Sequence, residues 1–227
     1  MGAYNYLTRL CERHGQTVRE LAQILKYPVS TILLLEGNIN GLKCVCPEIY
    51  DNLLSCLHQR DNRTVEEYGM DMVASWLIED CVRIRLQQAG CSITSNGADS
   101  NRVLLSSKDV SAAADFTVTL NNGTKRPMEL VCDYTGFWMR SGKLHLRDDK
   151  YSDLVHNKTV LLGIDIINQK FFLIDFAKVK KDLEIKKIQN HPVWNKPAVE
   201  IELKNCQSTI ITGTYNWQKI KDAVICL

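Results

Sequence analysis

Residues 114–134 read ADFTVTLNNGTKRPMELVCDY, and the fold of the larger part of the chain turns on them. In the first half Phe116, Val118 and Leu120 alternate with Asp115, Thr117 and Thr119, the two-residue period of a strand with one apolar face. The second half repeats the pattern: Met128 and Leu130 face one way, Glu129, Val131 and Asp133 the other. Between them NNGTKRP is rich in turn formers, which predicts a hairpin with Gly123 near its centre. The hairpin brings Asp115 beside Glu129 and Val131. Two carboxylates converging on one face raise each other's pKa unless a cation lies between them. A hard divalent ion, Mg²⁺ or Mn²⁺, suits such oxygen donors. A solvated polar sheet face is the plainer alternative for the same residues.

Upstream of the hairpin, Val65–Ala89 is predicted to be a long helix with Val73, Trp76, Leu77, Cys81 and Ile84 on one face, closed by Gly90. Downstream and around it, short strands are predicted at Cys91–Thr94, Thr159–Ile166 and Lys170–Phe176, with a helix around Arg147–His156. The order is then α-β-β-β-α-β-β. The run VLLGIDI at 160–166 is apolar on both faces, the mark of a central strand covered on each side. The tail, including PVWNKPAVEIEL at 192–203, is expected to add strands or cover. The expected fold class is therefore α/β, a central mixed sheet flanked by helices.

A helix, a β-hairpin bearing Asp and then Glu-x-Lys, a second helix and further strands form the layout of the PD-(D/E)xK nuclease superfamily, which residues 65–176 resemble. The resemblance implies a restriction-endonuclease-like fold and metal-dependent hydrolysis of DNA phosphodiester bonds, with Asp115 and Glu129 holding the Mg²⁺ or Mn²⁺. Glu79, eleven residues before Gly90, is similar to a helix glutamate that some members add to the metal site. Its neighbour Asp80 falls on the apolar face, where it is either a hydrogen-bonded structural residue or a member of the site. The chain departs from the family at Val131, which stands where the family has a lysine. In some members that lysine sits on another element, and Lys150 in RDDKYSDL is the expected substitute, preferred to Lys143. Water would then be the nucleophile, with Lys150 or Arg147 stabilising the oxyanion. The alternative is a binding module that keeps the nuclease fold but not turnover, a DNA-bound regulator or assembly factor.

The N-terminal part, residues 1–62, is predicted to be all-helical and separate from an α/β domain of residues 63–227, with the polar stretch Gln59–Thr64 as the break. In QTVRELAQILKYPVSTILLLEGN (16–38), Thr17 and Glu20 form a capping box, so a helix starts at Val18. Tyr27-Pro28 stops it, and Ser30 or Thr31 caps a second helix ending near Gly37. A further helix follows at Pro47–His58. The pair resembles the helix-turn-helix of phage-repressor-like regulators, which implies DNA contact through the second helix. That helix, STILLLEGN, offers no base-reading side chain before Asn38, and leucines exposed on it favour packing or a homodimer through this domain.

The remaining features narrow the class. Of the 227 residues 45% are apolar, as in an ordinary globular protein, and a formal charge of +2 singles out no partner. No signal-peptide core and no apolar run of about 18 residues is present, so a cytoplasmic protein is expected. Nine cysteines, an odd count, suit reduced thiols, and Cys44 with Cys46 falls short of a zinc site. No G-x-x-x-x-G-K-S/T, G-x-G-x-x-G or G-x-S-x-G motif occurs, which removes the nucleotide-driven and serine-hydrolase classes. His145 and His156 lack a Cys or Ser partner and are expected in supporting or surface roles. The loop Tyr134–His145 mixes aromatic and basic side chains, which suits a phosphate-rich, base-bearing partner, with core cover as the plainer alternative.

Overall fold

The structure, a computed structural model, describes residues 2–57, 63–96, 102, 113–168, 170–178, 185–192, 195–205, 207–210 and 213–227. The chain divides into two compact units, Met1–Val82 with Asn96–Ala113, and Arg83–Ser95 with Ala114–Leu227. No described helix is long and apolar enough to cross a membrane. The described cysteines are free thiols, with Cys11 and Cys91 buried and Cys44 and Cys226 exposed.

The first unit is built from α1 (Ala3–Arg13), α2 (Val18–Ile24), α3 (Val29–Leu35), α4 (Ile39–Val45), α5 (Pro47–Leu57) and the first part of α6 (Val65–Gln88). The Thr17 hydroxyl accepts the Glu20 N–H at 3.1 Å and the Glu20 carboxylate accepts the Thr17 N–H at 2.7 Å, so the capping box starts α2 at Val18. The next helix begins at Val29, earlier than a cap at Ser30 or Thr31 would place it. Pro28 precedes α3 with its φ already set, and the hydroxyl residues Ser30 and Thr31 are buried inside the helix instead of capping it. The expectation of exposed leucines is also corrected: Leu34 and Leu35 are core residues at 1% and 3% exposure, and Ile32 and Leu33 are half-buried. A helix one heptad long that closes a small core has few positions to leave outward. Those left on α3 include Val29, exposed, and just beyond it Glu36, which pairs with Arg19 of α2 at 2.6 Å.

In α6 Val73, Ala74, Trp76, Leu77, Ile78, Val82 and Leu86 are buried and Cys81 and Ile84 half-buried, so the buried surface is wider than one face. The division between the compact units falls within it. It stops at Gly90, whose φ of 90° a side chain would resist.

The second unit adds β1 (Ile93–Ser95), β2 (Phe116–Thr119), β3 (Lys125–Asp133), α7 (Phe137–Ser141), β4 (Lys143–Arg147), α8 (Asp148–His156), β5 (Val160–Asp165), β6 (Lys170–Asp175), β7 (Ile185–Ile188), β8 (Ala198–Glu202), β9 (Gln207–Ile210) and α9 (Gly213–Ile225). Six strands form a mixed sheet in the order β1-β2-β3-β5-β6-β9. Only β3 and β5 run parallel, with the crossover through α8 between them; the other neighbours are antiparallel. VLLGIDI supplies β5, which lies between β3 and β6 and is buried along its whole length.

Two local expectations are corrected. The helix expected from Arg147 starts at Asp148, because KLHLR alternates and forms β4. The expected loop 134–145 contains α7, bracketed by Gly136 and Gly142 at φ 70° and 69°. The tail does add strands: β7 and β8 join β4 in a second, antiparallel sheet. Its apolar face, with Leu144, Leu146, Val199 and Ile201, packs on Leu161, Phe172 and Ile174 of the larger sheet and Leu154 of α8. Gly163 of β5 lies under the Phe172 ring, which a Cβ at that position would strike.

Candidate functional site

The hairpin puts the two predicted acids side by side. Phe116 pairs with Met128, so continuing the antiparallel register sets Asp115 opposite Glu129. The Leu130 N–H donates to Asp115 Oδ2 at 2.8 Å, which orients that carboxylate against the neighbouring strand. Glu129, with a side chain 12% exposed, forms an ion pair with Lys150 of α8. Lys143 goes elsewhere: its Nζ is 2.8 Å from Glu200 and 3.8 Å from Glu202 on the second sheet. That hydrogen bond to Glu200 holds the ammonium above its usual value. Arg147 is paired with exposed Asp149 at 3.1 Å.

Val131 has a physical reason to be apolar. It shares a face of β3 with Glu129 and packs against the core between the two sheets, as do Trp138 and Met139 of α7 and Tyr151 of α8. A lysine there would carry its charge into that core. Asp133, next on the same face, is buried and accepts from the Thr135 N–H, the Thr135 hydroxyl and the Trp138 N–H at 2.7, 2.6 and 2.8 Å. It closes the turn into α7.

Glu79 and Asp80 belong to the first compact unit, where they share one partner. Arg102 donates to Glu79 at 3.1 Å and to both oxygens of Asp80 at 2.6 and 3.1 Å. Tyr27 donates its hydroxyl hydrogen to Asp80 at 2.5 Å, and Trp76 lies under the guanidinium at 6.0 Å. Burial, then the Asp80 charge, pushes the Tyr27 phenol far up. Burial works against the Arg102 charge, but the hydrogen bonds to Asp80 and the electrostatic attraction of Tyr27, Asp80 and Glu79 together outweigh it and keep the guanidinium above its ordinary value. Of the two roles open to Asp80, its bonds are those of a hydrogen-bonded structural residue.

The second sheet holds a cluster of which sequence reading singled out only His145, and that in a supporting or surface role. His145 Nε2 is 3.0 Å from Glu200 Oε2, and its Nδ1 is 2.9 Å from His191 Nε2. Alternation in KLHLR and AVEIE places Lys143, His145 and Arg147 on one face of β4 and Glu200 and Glu202 on one face of β8. Their meeting, and the arrival of His191 from a turn, carried no signal in the chain.

Among the described residues no group of three or more His, Cys, Asp or Glu side chains is arranged to hold a metal ion. Asp115 and Glu129 nevertheless suit the smaller demand of Mg²⁺, which takes one or two carboxylates and fills its shell with water and phosphate oxygens. Their all-oxygen chemistry does not suit a zinc site. Compared with family models, curated proteins and solved structures, the chain matches none.

Proposed function

We propose that the α/β unit is a metal-dependent DNA endonuclease. The observation that carries this is the triad of Asp115, Glu129 and Lys150: one acid just before β2 that accepts from the Leu130 N–H of β3, a second on β3, and a lysine from the crossover helix on the second acid. The order α6, β-hairpin, α8, β5, with β3 and β5 parallel, supports the same reading. Asp115 and Glu129 would hold Mg²⁺ or Mn²⁺, which when bound lowers the pKa of water and offsets phosphate charge. Glu129 orients the Lys150 ammonium, and Lys150 stabilises the negative charge that develops on the phosphate oxygens. Glu79, which the family resemblance adds to the metal site, belongs to the other compact unit and pairs with Arg102. The helical unit would assist by contacting DNA or a partner chain. Ile24 and Val29, 63% and 65% exposed at either end of the α2–α3 turn, support a protein partner such as a second copy.

Incubation of the purified chain with supercoiled plasmid and Mg²⁺ or Mn²⁺ tests the proposal. Nicked or linear product is expected, and Asp115→Ala and Glu129→Ala should each abolish it. A second reading rests on Val131, an apolar core residue at the lysine position: a nuclease-fold module that binds DNA without cutting it. Plasmid that is shifted but intact, with the shift unaffected by Asp115→Ala, would establish that reading and end the enzymatic one.

A further inference from the structure

Glu129 already has a cation, the Lys150 ammonium, on its carboxylate. The Glu129 side chain is 12% exposed, and a carboxylate so far removed from water is stable beside a positive partner and costly without one. The two members of the pair differ in freedom. Glu129 stands opposite Leu161 of the buried strand β5, in a sheet that fixes its backbone. Lys150, 34% exposed in the first turn of α8, carries its charge on a flexible four-carbon stem. The helix under it is pinned. Leu154 is buried in the core between the sheets, the Tyr151 ring meets Phe176 edge-on at 5.8 Å, and the Asp148 N–H donates to Pro197 O at 3.1 Å. The lysine side chain is therefore the part of the pair that can change places.

A divalent ion drawn to Asp115 and Glu129 meets a like charge. Ammonium and dication compete for one carboxylate, and their repulsion lowers metal affinity below what the acids alone would give. A phosphodiester changes the balance. It brings a negative charge, and an ammonium with three rotatable donors can turn from a carboxylate to a phosphate oxygen. With Lys150 on the phosphate, the carboxylate of Glu129 has a dication in place of the lysine as its partner. Each ligand makes room for the other. Linkage then requires the phosphodiester to tighten the metal by the factor by which the metal tightens the phosphodiester.

The neighbouring cations are engaged elsewhere, Lys143 with Glu200 and Glu202, and Arg147 with Asp149. We propose that Lys150 is a resident counter-ion of Glu129 that holds down the affinity for divalent cations until a phosphodiester draws it away, so that metal and substrate load together. This rests on the endonuclease reading of Asp115 and Glu129 and adds its regulation: the hydrolytic site is completed on a phosphodiester and not ahead of it.

Mn²⁺ binding to the full chain, followed by the electron paramagnetic resonance of the free ion, tests the coupling without any cleavage. Dimethyl phosphate serves as the phosphodiester probe. The unmodified chain should bind Mn²⁺ about 5–150-fold more tightly when the probe is saturating, the span typical of coupled sites. Lys150→Met, which keeps an apolar stem and loses the charge, should bind Mn²⁺ tightly with or without the probe. Lys143→Met should behave as the unmodified chain. A gain in metal affinity in Lys150→Met, together with loss of cleavage, is a pair of effects that general damage to the site does not produce. The comparison with and without probe needs no variant. Equal Mn²⁺ affinity in the unmodified and Lys150→Met chains, or no effect of the probe on the unmodified chain, with binding still abolished by Asp115→Ala, would overturn the counter-ion role and leave the endonuclease reading standing. Absence of Mn²⁺ binding from every one of these chains, with the probe or without it, would overturn both.

Discussion

Lys150 of α8 is ion-paired with Glu129 of β3, which ties the crossover helix to the strand that precedes it. The other lysine within reach in sequence, Lys143, is held by Glu200. The two lysines therefore separate cleanly in an experiment. Lys150→Ala should lower plasmid cleavage by about 10²–10³-fold, the scale for losing one electrostatic stabiliser of a transition state. Lys143→Ala should leave cleavage near the unmodified level. Equal losses from both would mean that neither acts at the phosphate.

Arg102 gives the helical unit a buried charge balance that cannot be half removed. Arg102→Met takes the guanidinium away from the buried Asp80 carboxylate and should cost about 3–5 kcal/mol, the scale for removing one partner of a buried ion pair. Adding Asp80→Asn should recover much of that loss. Urea unfolding followed by tryptophan fluorescence suits the site, since Trp76 lies against the guanidinium.

Gly163→Ala is a packing prediction. The new Cβ meets the Phe172 ring on the adjacent strand, so a loss of about 1–3 kcal/mol is expected. Phe172→Leu on the same background should relieve it in part. Denaturant midpoints of the single and double variants decide the matter.

The acid limb of the stability curve should carry the mark of Glu200. Its carboxyl is held below the ordinary value of 4.5, chiefly by the Lys143 hydrogen bond, so the folded chain binds fewer protons than the unfolded chain as acid is added. The stabilisation is fully present above pH 4.5 and is lost as the pH falls through the folded-state value. Glu200→Gln lacks this contribution, so its deficit against the unmodified chain should be largest near neutrality and shrink in acid. Urea midpoints measured across the acid range would show a constant gap if Glu200 contributed nothing.

Much of the architecture follows from local patterns. Thr17 and Glu20 set the start of α2 because both partners of the cap lie within four residues. Gly90 ends α6, and the alternation in 114–134 produces the hairpin and the register that sets Asp115 opposite Glu129. The same kind of pattern misjudged α3, where four apolar residues in a row do not say which of them face the core. It also passed over KLHLR as a strand, since its first three residues were read as the end of the loop 134–145 and its last as the start of a helix.

What the chain determined by itself is which side chains share a face: Asp115 with Thr117, Glu129 with Val131, Lys143 with His145. Which partner meets that face was decided only by the tertiary structure. Lys150 reaches Glu129 across 21 residues, His191 reaches His145 across 46, and Glu200 reaches it across 55. A strand's period orients its side chains, but strand order, crossover and sheet packing choose what stands opposite, and those depend on burying apolar surface across the whole unit.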